Sequence, residues 1–279
     1  MKKYYFVFCK EDLLLELTPD GNYTIPLQEE PPTEVKPWTN MLNITPMADD
    51  TPVVTYRVDT PTVPEPVEGP VEGPVEGPSS CTSPLAPRPS YEWCPLRQSY
   101  YKLPRPLYLK GGKCQELNYW DQNTKFCGVC GAPMRMDTDI SKKCTECGKE
   151  IWPQLATAVI VLIHKGDEVL LVRAKNFRRD FFGLVAGFVE TGETLEEAVA
   201  REALEETGVT INNIRYFASQ PWPYPCGLMV GFNADYVSGD IHLQASEIAK
   251  GGWFRKDNLP EIPEKLSIAR MLLDAWLEE

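Results

Sequence analysis

The chain has 279 residues, with 40 acidic and 28 basic side chains and a formal net charge of −12 at pH 7. This length suits two domains, or one large domain with attachments. The acidic balance argues against a broad nucleic-acid-binding surface and against attraction to anionic membranes, although a local basic groove is compatible with it. No apolar run is long enough to span a membrane, and charges interrupt the opening MKKYYFVFCK too early for a secretory signal. We therefore expect a cytoplasmic protein without a membrane partner.

The chain contains nine cysteines. An odd number fits a reducing compartment better than a disulfide framework. Five of them have no obvious partner in the sequence and are predicted to be free thiols: Cys9, Cys81, Cys94, Cys114 and Cys226.

Residues 1–120 are predicted to form a small strand-rich N-terminal domain. The apolar segments YYFVF, LLLEL and PVVTYRV are separated by prolines and polar turns, which is typical of strands. At about 60–89 the sequence PVEGPVEGPVEGP repeats Val-Glu-Gly-Pro, which offers few bulky side chains and many breakers. This composition predicts a disordered insertion within one domain, and a docking segment is the alternative. Residues 111–126 are expected to form a short helix or connector.

Residues 121–152 are predicted to form a zinc ribbon. Cys127 and Cys130 make one pair, Cys144 and Cys147 make a second, and a glycine follows each pair. Two such turns can place four thiolates in a tetrahedron around a metal, and the intervening segment is long enough for a hairpin. Because sulfur fills all four positions, the zinc is expected to be structural. A redox role for the two CxxC motifs is the alternative.

Residues 153–279 are predicted to form a mixed α/β domain. Ala156–His164 and Glu168–Arg173 read as two strands joined by a Lys-Gly-Asp turn. Further predicted elements are a strand and loop over 182–189, strands over 215–219 and 228–236, and a C-terminal helix with an apolar stripe from Ile268 to Trp276.

An acidic helix in this domain is marked at both ends. Thr194 and Glu197 form a capping box, and Gly208 lies where a left-handed C-terminal cap is expected. Glu202, Glu205 and Glu206 stand at i, i+3 and i+4, so they share one face and point their carboxylates at one volume. Oxygen ligands at this density suit a hard divalent cation such as Mg²⁺ or Mn²⁺. A solvated acidic helix is the alternative.

This stretch resembles the complete Nudix box. The matching positions are Gly187, Glu193, Arg201, Glu202, Glu205, Glu206, Gly208 and Val209. Ala203 departs from the family, which usually has a bulkier aliphatic residue there. The resemblance implies a Nudix α/β/α sandwich and hydrolysis of a nucleoside diphosphate linked to another group. It implies catalytic roles for Glu202, Glu205 and Glu206, with Glu193 and Arg201 positioning the site.

The segment SQPWPYP over 219–225 places Trp222 and Tyr224 in a proline-stiffened loop. Aromatic faces held beside a metal site can stack on planar rings, and aromatics that cover the core are the alternative. The segment resembles the signature that separates NADH pyrophosphatases from other Nudix hydrolases, with Tyr224 in place of a phenylalanine. The order of zinc ribbon, box and signature, over roughly the last 160 residues, is also that of this family.

The resemblance to NADH pyrophosphatases implies a larger set of site residues. The implied substrate-binding residues are Asp139, Trp152, Phe188, Gln220, Pro221, Trp222, Pro223, Tyr224, Pro225, Cys226, Gly227 and Ala269. The main-chain carbonyl of Ala186 and the carboxylate of Glu247 are implied ligands of Mg²⁺ or Mn²⁺, alongside the three box glutamates. Two positions depart from the family, since Trp152 replaces a tyrosine and Gly227 replaces a serine.

The implied activity is cleavage of the pyrophosphate of NAD(H) to nicotinamide mononucleotide and AMP. Removal of a 5′ NAD cap from RNA is implied as well, because the reacting bond is the same, and a homodimer is the implied assembly. Two alternatives stay open at this point. One is a Nudix hydrolase for another nucleoside diphosphate derivative such as ADP-ribose. The other is a zinc-ribbon nucleic-acid-binding protein with an inactive Nudix domain.

Overall fold

The computed structural model describes residues 1–61, 90–177 and 179–278. It divides the chain into two compact units, Met1–Pro153 and Gln154–Glu279. Most of the predicted insertion at about 60–89, and Cys81 with it, lies outside the described residues. Among the helices that the structure describes, none is long and apolar enough to cross a membrane.

The first unit is built on a seven-stranded sheet with the path β3-β2-β1-β6-β5, in which β4 pairs with β1 and β7 with β2. Its strands are β1 Lys3–Cys9, β2 Asp12–Leu17, β3 Tyr23–Thr24, β4 Leu27–Gln28, β5 Leu42–Ile44, β6 Val53–Arg57 and β7 Ser90–Pro95. The predicted strand-rich N-terminal region is confirmed. Because β7 pairs along the whole of β2, the segments before and after the insertion share one sheet.

Two helices follow the sheet, α1 Leu96–Ser99 and α2 Arg105–Asn123. The second helix begins earlier and is longer than predicted, with a proline in its first turn where a missing N–H is harmless. Gly111, inside the helix, explains part of the difference. A β-carbon there would lie 3.3 Å from a Leu96 methyl and 3.4 Å from a Leu13 methyl, so the glycine lets α2 approach the sheet closely. Asn118 adds a buried hydrogen bond of 2.8 Å to the Thr55 hydroxyl of β6.

The rest of the first unit is a three-stranded antiparallel sheet in the order β10-β9-β8. Its strands are β8 Met134–Thr138, β9 Ser141–Cys144 and β10 Glu150–Ile151. The hairpin predicted between the two cysteine pairs is therefore present as β8 and β9. The division of residues 1–153 into an N-terminal domain and a separate ribbon stays a proposal.

The second unit has a six-stranded sheet between two helices. The sheet has the path β14-β15-β11-β12-β16, and β13 pairs with β11. Its strands are β11 Ala156–Lys165, β12 Glu168–Ala174, β13 Val185–Phe188, β14 Thr210–Trp222, β15 Gly227–Ser238 and β16 Ile248–Arg255, and the helices are α3 Leu195–Thr207 and α4 Ile268–Glu278. The pairing is antiparallel except between β11 and β15.

Each helix of the second unit packs on its own face of the sheet. Alternate residues of β11 divide between two cores, because side chains of a strand point to opposite faces. Val159 and Val161 pack with Ala198 and Val199 of α3. Ile160 and Leu162 belong to the second core, which includes Ile268, Ala269 and Leu272 of α4. The structure is thus the predicted α/β/α sandwich.

Strand β16 is absent from the sequence prediction. Gly251 and Gly252 lie inside it, and glycine lowers the strand propensity of a segment. A β-carbon at Gly251 would lie 2.9 Å from a Leu243 methyl, so the close packing there favours glycine. Tertiary contact, which the local pattern does not show, decides the conformation of this segment.

The capping of α3 agrees with the prediction. The Thr194 hydroxyl accepts a hydrogen bond from the Glu197 N–H, and the Glu197 carboxylate accepts one of 2.7 Å from the Thr194 N–H. Gly208 ends the helix with φ of 74°. Thr194→Ala is therefore expected to lower the free energy of unfolding by about 1 kcal/mol.

Chemical denaturation of Thr194→Ala and Thr194→Ser checks this prediction, because serine keeps the capping oxygen. Equal stability of the alanine and serine variants would contradict it.

Candidate active site

The three glutamates of α3 differ in their surroundings, although they share a helix face. The Glu202 side chain is 12% exposed and that of Glu205 is 52% exposed. Glu206 is 6% exposed as a residue. Glu202 and Glu206 therefore point inward toward the sheet, whereas Glu205 lies at the rim.

Arg201 binds the carboxylates around it. Its guanidinium donates hydrogen bonds of 3.0 and 2.6 Å to the two oxygens of Glu193. Nη1 donates to Glu202 at 2.8 Å and to Glu205 at 3.1 Å. Nη2 also donates to the main-chain carbonyl of Phe188 at 2.9 Å. These hydrogen bonds hold the loop before the helix and lower the pKa of Glu193 to about 2.

Strand β13 passes directly under the Glu202 carboxylate. A β-carbon at Gly187 would lie 1.9 Å from Glu202 Oε1, a distance that real atoms do not reach. Only glycine fits this position while the carboxylate stays in place. The glycine of the box is thus required by the approach of a side chain to the strand, and its φ is not positive.

The surroundings of Glu206 disfavour the ionised form of its carboxyl group. Burial raises the pKa of its carboxyl group to about 8, and the charges of Glu202 and Glu247 add to the rise. A hydrogen bond from the main chain of Ala186 opposes this shift in part. Within the described residues, Glu206 Oε2 is buried and has no hydrogen-bond partner.

Glu247 lies just before β16, and its side chain is exposed. Its carbonyl accepts a hydrogen bond of 2.7 Å from the Lys175 N–H, which fixes the segment next to the end of β12. Burial raises the pKa of Glu202, and the charges of Glu205 and Glu247 raise it further. The carboxylate groups therefore repel one another across a shared volume.

This donor set fits a hard divalent cation. It consists of carboxylate oxygens and includes a buried oxygen without a partner, the arrangement that a cation would stabilise. The glutamates nevertheless stand further apart than the cysteines of the ribbon. Among the described residues, the cysteine cluster is the only group of three or more His, Cys, Asp or Glu side chains whose ligand atoms all lie within 4.8 Å of one another.

An apolar pocket of about 220 Å³ lies on the α4 face of the sheet. Its lining consists of Ala156, Ala158, Phe188, Trp222, Tyr224, Pro225, Cys226, Gly227 and Met229. Six of these residues are among the substrate contacts that the sequence predicts. The rings of Trp222 and Tyr224 meet edge to face, with centroids 5.1 Å apart.

Ala156, Ala158 and Met229 are pocket residues that the sequence analysis missed. They meet because β11 runs parallel to β15, with Ala156 opposite Gly227 and Ala158 opposite Met229. Nothing in the local sequence marks this long-range pairing. The signal that the sequence did contain was the small size of Ala156 and Ala158, on a strand that precedes the Nudix box.

The signature segment is not a loop along its whole length. Residues 219–222 continue β14, where Trp222 pairs with Gly227, and only 223–226 form the turn. Pro221 is tolerated because β14 is an edge strand of the sheet path and needs no donor on its open side. The turn is also tight. A β-carbon at Gly227 would lie 3.0 Å from the Trp222 carbonyl oxygen, at the position where the family has a serine.

Four predicted substrate contacts within the second unit do not line the pocket. Ala269 is buried in the core under α4, and Pro223 is buried in the turn. Pro221 is exposed on β14, and the Gln220 amide is hydrogen-bonded to the segment that starts α4. Their assignment to the substrate stays a prediction.

Asp139 and Trp152 belong to the first unit. Asp139 lies between β8 and β9 and accepts a hydrogen bond of 3.4 Å from the Thr45 hydroxyl. Trp152 follows β10 and is 54% exposed. Their predicted roles in substrate binding likewise stay predictions.

The four cysteines of the ribbon form a compact cluster. Cys127 and Cys147 have their sulfurs 3.7 Å apart, and those of Cys130 and Cys144 are 3.4 Å apart. Main-chain N–H groups of Cys147 and Glu146 lower the pKa of the Cys144 thiol to about 6, which favours the thiolate form that binds metals. The described cysteines outside the cluster, Cys9, Cys94, Cys114 and Cys226, are free thiols as predicted.

Comparison with known proteins agrees with this architecture. Residues 153–275 match the family model of the NUDIX domain. The NAD-capped RNA hydrolase NudC of Pseudomonas aeruginosa (strain LESB58) is 42% identical over 190 residues, which are 68% of this chain and 68% of that protein. The chain belongs to the Nudix family.

This Nudix protein is also similar to a second NudC protein and to a NUDIX hydrolase of known structure. The NAD-capped RNA hydrolase NudC of Chromobacterium violaceum is 40% identical over 188 residues, 67% of this chain and 71% of that protein. A crystal structure of a NUDIX hydrolase from Nitrosomonas europaea aligns with 56% of this chain and 92% of its own, at a TM-score of 0.49 and 25% identity. The predicted family is confirmed, and the chain is a hydrolase of the Nudix type.

Gly187→Ala tests the close approach of Glu202 to β13. The added methyl group is expected to turn the flexible Glu202 side chain away with little loss of stability. The affinity for Mn²⁺ is expected to fall about 10-fold or more, the scale on which groups that orient metal ligands act. Titration with Mn²⁺, followed by its electron paramagnetic resonance signal, measures this affinity.

Gly252→Ala is the matched control, because a β-carbon at Gly252 makes only ordinary contacts at 3.6 Å. If both alanine variants bound Mn²⁺ as the unmodified protein does, the steric argument at Gly187 would be wrong.

Proposed function

We propose that this Nudix protein hydrolyses the pyrophosphate bond of NAD(H), giving nicotinamide mononucleotide and AMP, and that it removes 5′ NAD caps from RNA. One observation carries the proposal. Strand β13 lies under the Glu202 carboxylate at Gly187 and places the Phe188 ring in the aromatic pocket one residue later. The acidic site and the apolar pocket therefore adjoin along β13, with the glutamates of α3 on one face of the sheet and the Phe188 ring on the other.

The two parts of the site match the two parts of a dinucleotide. Phe188 is 65% exposed, so its face is available for stacking on a nicotinamide or adenine ring. Trp222 and Tyr224 border the same pocket. The names of the NudC relatives support the same substrate, since those proteins are described as NAD-capped RNA hydrolases.

We propose that Glu202, Glu205, Glu206 and Glu247, with the carbonyl of Ala186, hold Mg²⁺ or Mn²⁺. When bound, such ions neutralise the charge of a pyrophosphate and lower the pKa of a water molecule. Arg201 orients Glu202 and Glu205 and keeps Glu193 ionised through its hydrogen bonds. A glutamate that is not fully occupied by metal, whether Glu205, Glu206 or another, would accept the proton of the attacking water.

The four-cysteine cluster is proposed to bind a structural zinc ion. All four ligand positions are sulfur, which leaves no open position for substrate. We also propose a homodimer in the cytoplasm. These assignments rest on the family resemblance and on the absence of an obvious disulfide framework among the described cysteines.

Loss of one cysteine of the cluster is expected to remove the zinc. Cys144→Ala should lower the zinc content from about one ion per chain to near zero, because structural sites need all four ligands. Elemental analysis of the purified variant measures this content. Cys226→Ala removes a free thiol outside the cluster and should keep the full zinc content. Full zinc in Cys144→Ala would overturn the assignment.

The catalytic proposal predicts that Glu206→Gln lowers turnover by more than about 100-fold, since even outer partners of metal sites contribute about 10–100-fold. The assay compares NADH and a 5′-NAD-capped RNA side by side, with Mg²⁺ or Mn²⁺ and with a chelator. Glu196→Gln, an exposed position on the same helix, is the control. Near-normal turnover in Glu206→Gln would overturn the role of this residue.

Thermal unfolding of the metal-free protein shows whether Glu206→Gln still folds, which separates a loss of catalysis from a loss of folding. The Glu206 pKa is about 8 in the folded protein, well above its ordinary value of 4.5. Folding therefore loses stability as the pH rises from 4.5 through 8, because the carboxyl group ionises in the unfolded chain while the buried one keeps its proton. Glutamine does not ionise, so Glu206→Gln should melt at a higher temperature than the unmodified protein above pH 8.

The choice of substrate distinguishes the alternatives. Faster cleavage of ADP-ribose than of NADH would indicate another Nudix specificity. RNA binding without metal-dependent turnover of any substrate would indicate the non-enzymatic alternative.

A further inference from the structure

We propose that Gln220 is a positioning residue, which holds the start of α4 against the strands that carry the aromatic pocket. This proposal rests on the proposed function, because it concerns how the pocket binds the dinucleotide. It differs from the role that the family resemblance implies for Gln220, which is direct contact with the substrate.

Both ends of the Gln220 amide are bonded to the segment around the start of α4. Nε2 donates a hydrogen bond of 2.8 Å to the Leu266 carbonyl. Oε1 accepts a hydrogen bond of 2.7 Å from the Ile268 N–H. Ile268 is the first residue of α4, and the first N–H groups of a helix have no partner within it. Gln220 therefore caps this helix from a strand 48 positions earlier in the chain.

A second contact holds Ile268 against the sheet. A β-carbon at Gly231 would lie 2.9 Å from Ile268 Cδ1, so the Ile268 side chain occupies the space above this glycine. Gly231 pairs with Ala218, two residues before Gln220 on β14. The start of α4 is thus fixed to β14 by its main chain and to β15 by its side chain.

The pairing of β14 with β15 connects this contact to the pocket. Gln220 stands opposite Met229, and Trp222 stands opposite Gly227. Residues directly opposite in a ladder share a face, and so do residues two apart, so these four positions lie on one face of the sheet. Met229 lines the pocket and also packs against the core that contains Ile268. A shift of α4 would therefore move the floor of the pocket.

The glutamates should be little affected by such a shift. They are carried by α3, which packs on the other face of the sheet. Loss of Gln220 is accordingly expected to weaken substrate binding much more than it slows the chemical step.

The test combines kinetics with amide hydrogen exchange in Gln220→Met. Two hydrogen bonds are lost, so a change of about 10-fold or more is expected. KM for NADH should rise by about 10-fold, while kcat changes less than about 3-fold. In the protein without substrate, the Ile268 N–H should exchange at least about 10-fold faster.

Ser267→Ala is the matched control, because the Ser267 hydroxyl accepts from the Arg270 N–H, at 3.4 Å, and donates to the Glu264 carbonyl. It weakens the same helix end locally and should leave KM unchanged. Gln220→Glu is a second variant that keeps the acceptor for Ile268 and loses the donor to Leu266. It should give intermediate exchange and an intermediate KM, and it allows the test if the methionine variant does not fold.

Two outcomes would overturn the proposal. A raised KM with normal protection of the Ile268 amide would mean that Gln220 contacts the substrate directly. Lost protection with an unchanged KM would mean that the contact only stabilises the fold. If the unmodified protein cleaved neither NADH nor capped RNA, the proposed function would fail, whereas the exchange experiment would still report whether Gln220 fixes the helix.

Discussion

The contact between the Glu202 carboxylate and the main chain of Gly187 is the constraint on which the candidate site depends. It requires α3 to lie very close to the sheet. Ala198 and Ala203, both fully buried, make the helix face small enough for this approach. The alanine that departs from the family at position 203 is buried in the core that it shares with β11 and β13. Small side chains on the apolar face and a glycine on the strand act together.

The approach of α3 to β13 has an electrostatic cost. It buries Glu206 beside two other carboxylates and leaves one of its oxygens without a hydrogen-bond partner among the described residues. An unpaired buried charge is costly, so this carboxyl group keeps its proton up to a pH of about 8. Arg201 stabilises only the outer carboxylates, because among the described residues its guanidinium binds Glu193, Glu202 and Glu205 but not Glu206. A divalent cation bound beside Glu206 would stabilise its ionised form, which Arg201 does not do.

The sequence was informative wherever the signal is local. The capping box, the glycine cap and the box spacing predict α3 and its partners, since each depends on residues within one or two turns. The cysteine spacing predicts the metal cluster for the same reason. What the sequence could not predict depends on distant residues. Examples are the unequal burial of the three glutamates, the parallel pairing that brings Ala156 and Ala158 to Gly227 and Met229, and strand β16 with its two glycines.

The signature segment combines both kinds of information. Its composition predicts an aromatic surface, and the pocket contains Trp222 and Tyr224 as expected. Its conformation follows from pairing with β15, so alternate residues point in opposite directions and cannot all meet one ligand. Gln220 shares the pocket's face but is bonded to α4 instead, because the segment must also be attached to the rest of the fold. A motif that marks a binding site can therefore include residues whose task is to hold that site in place.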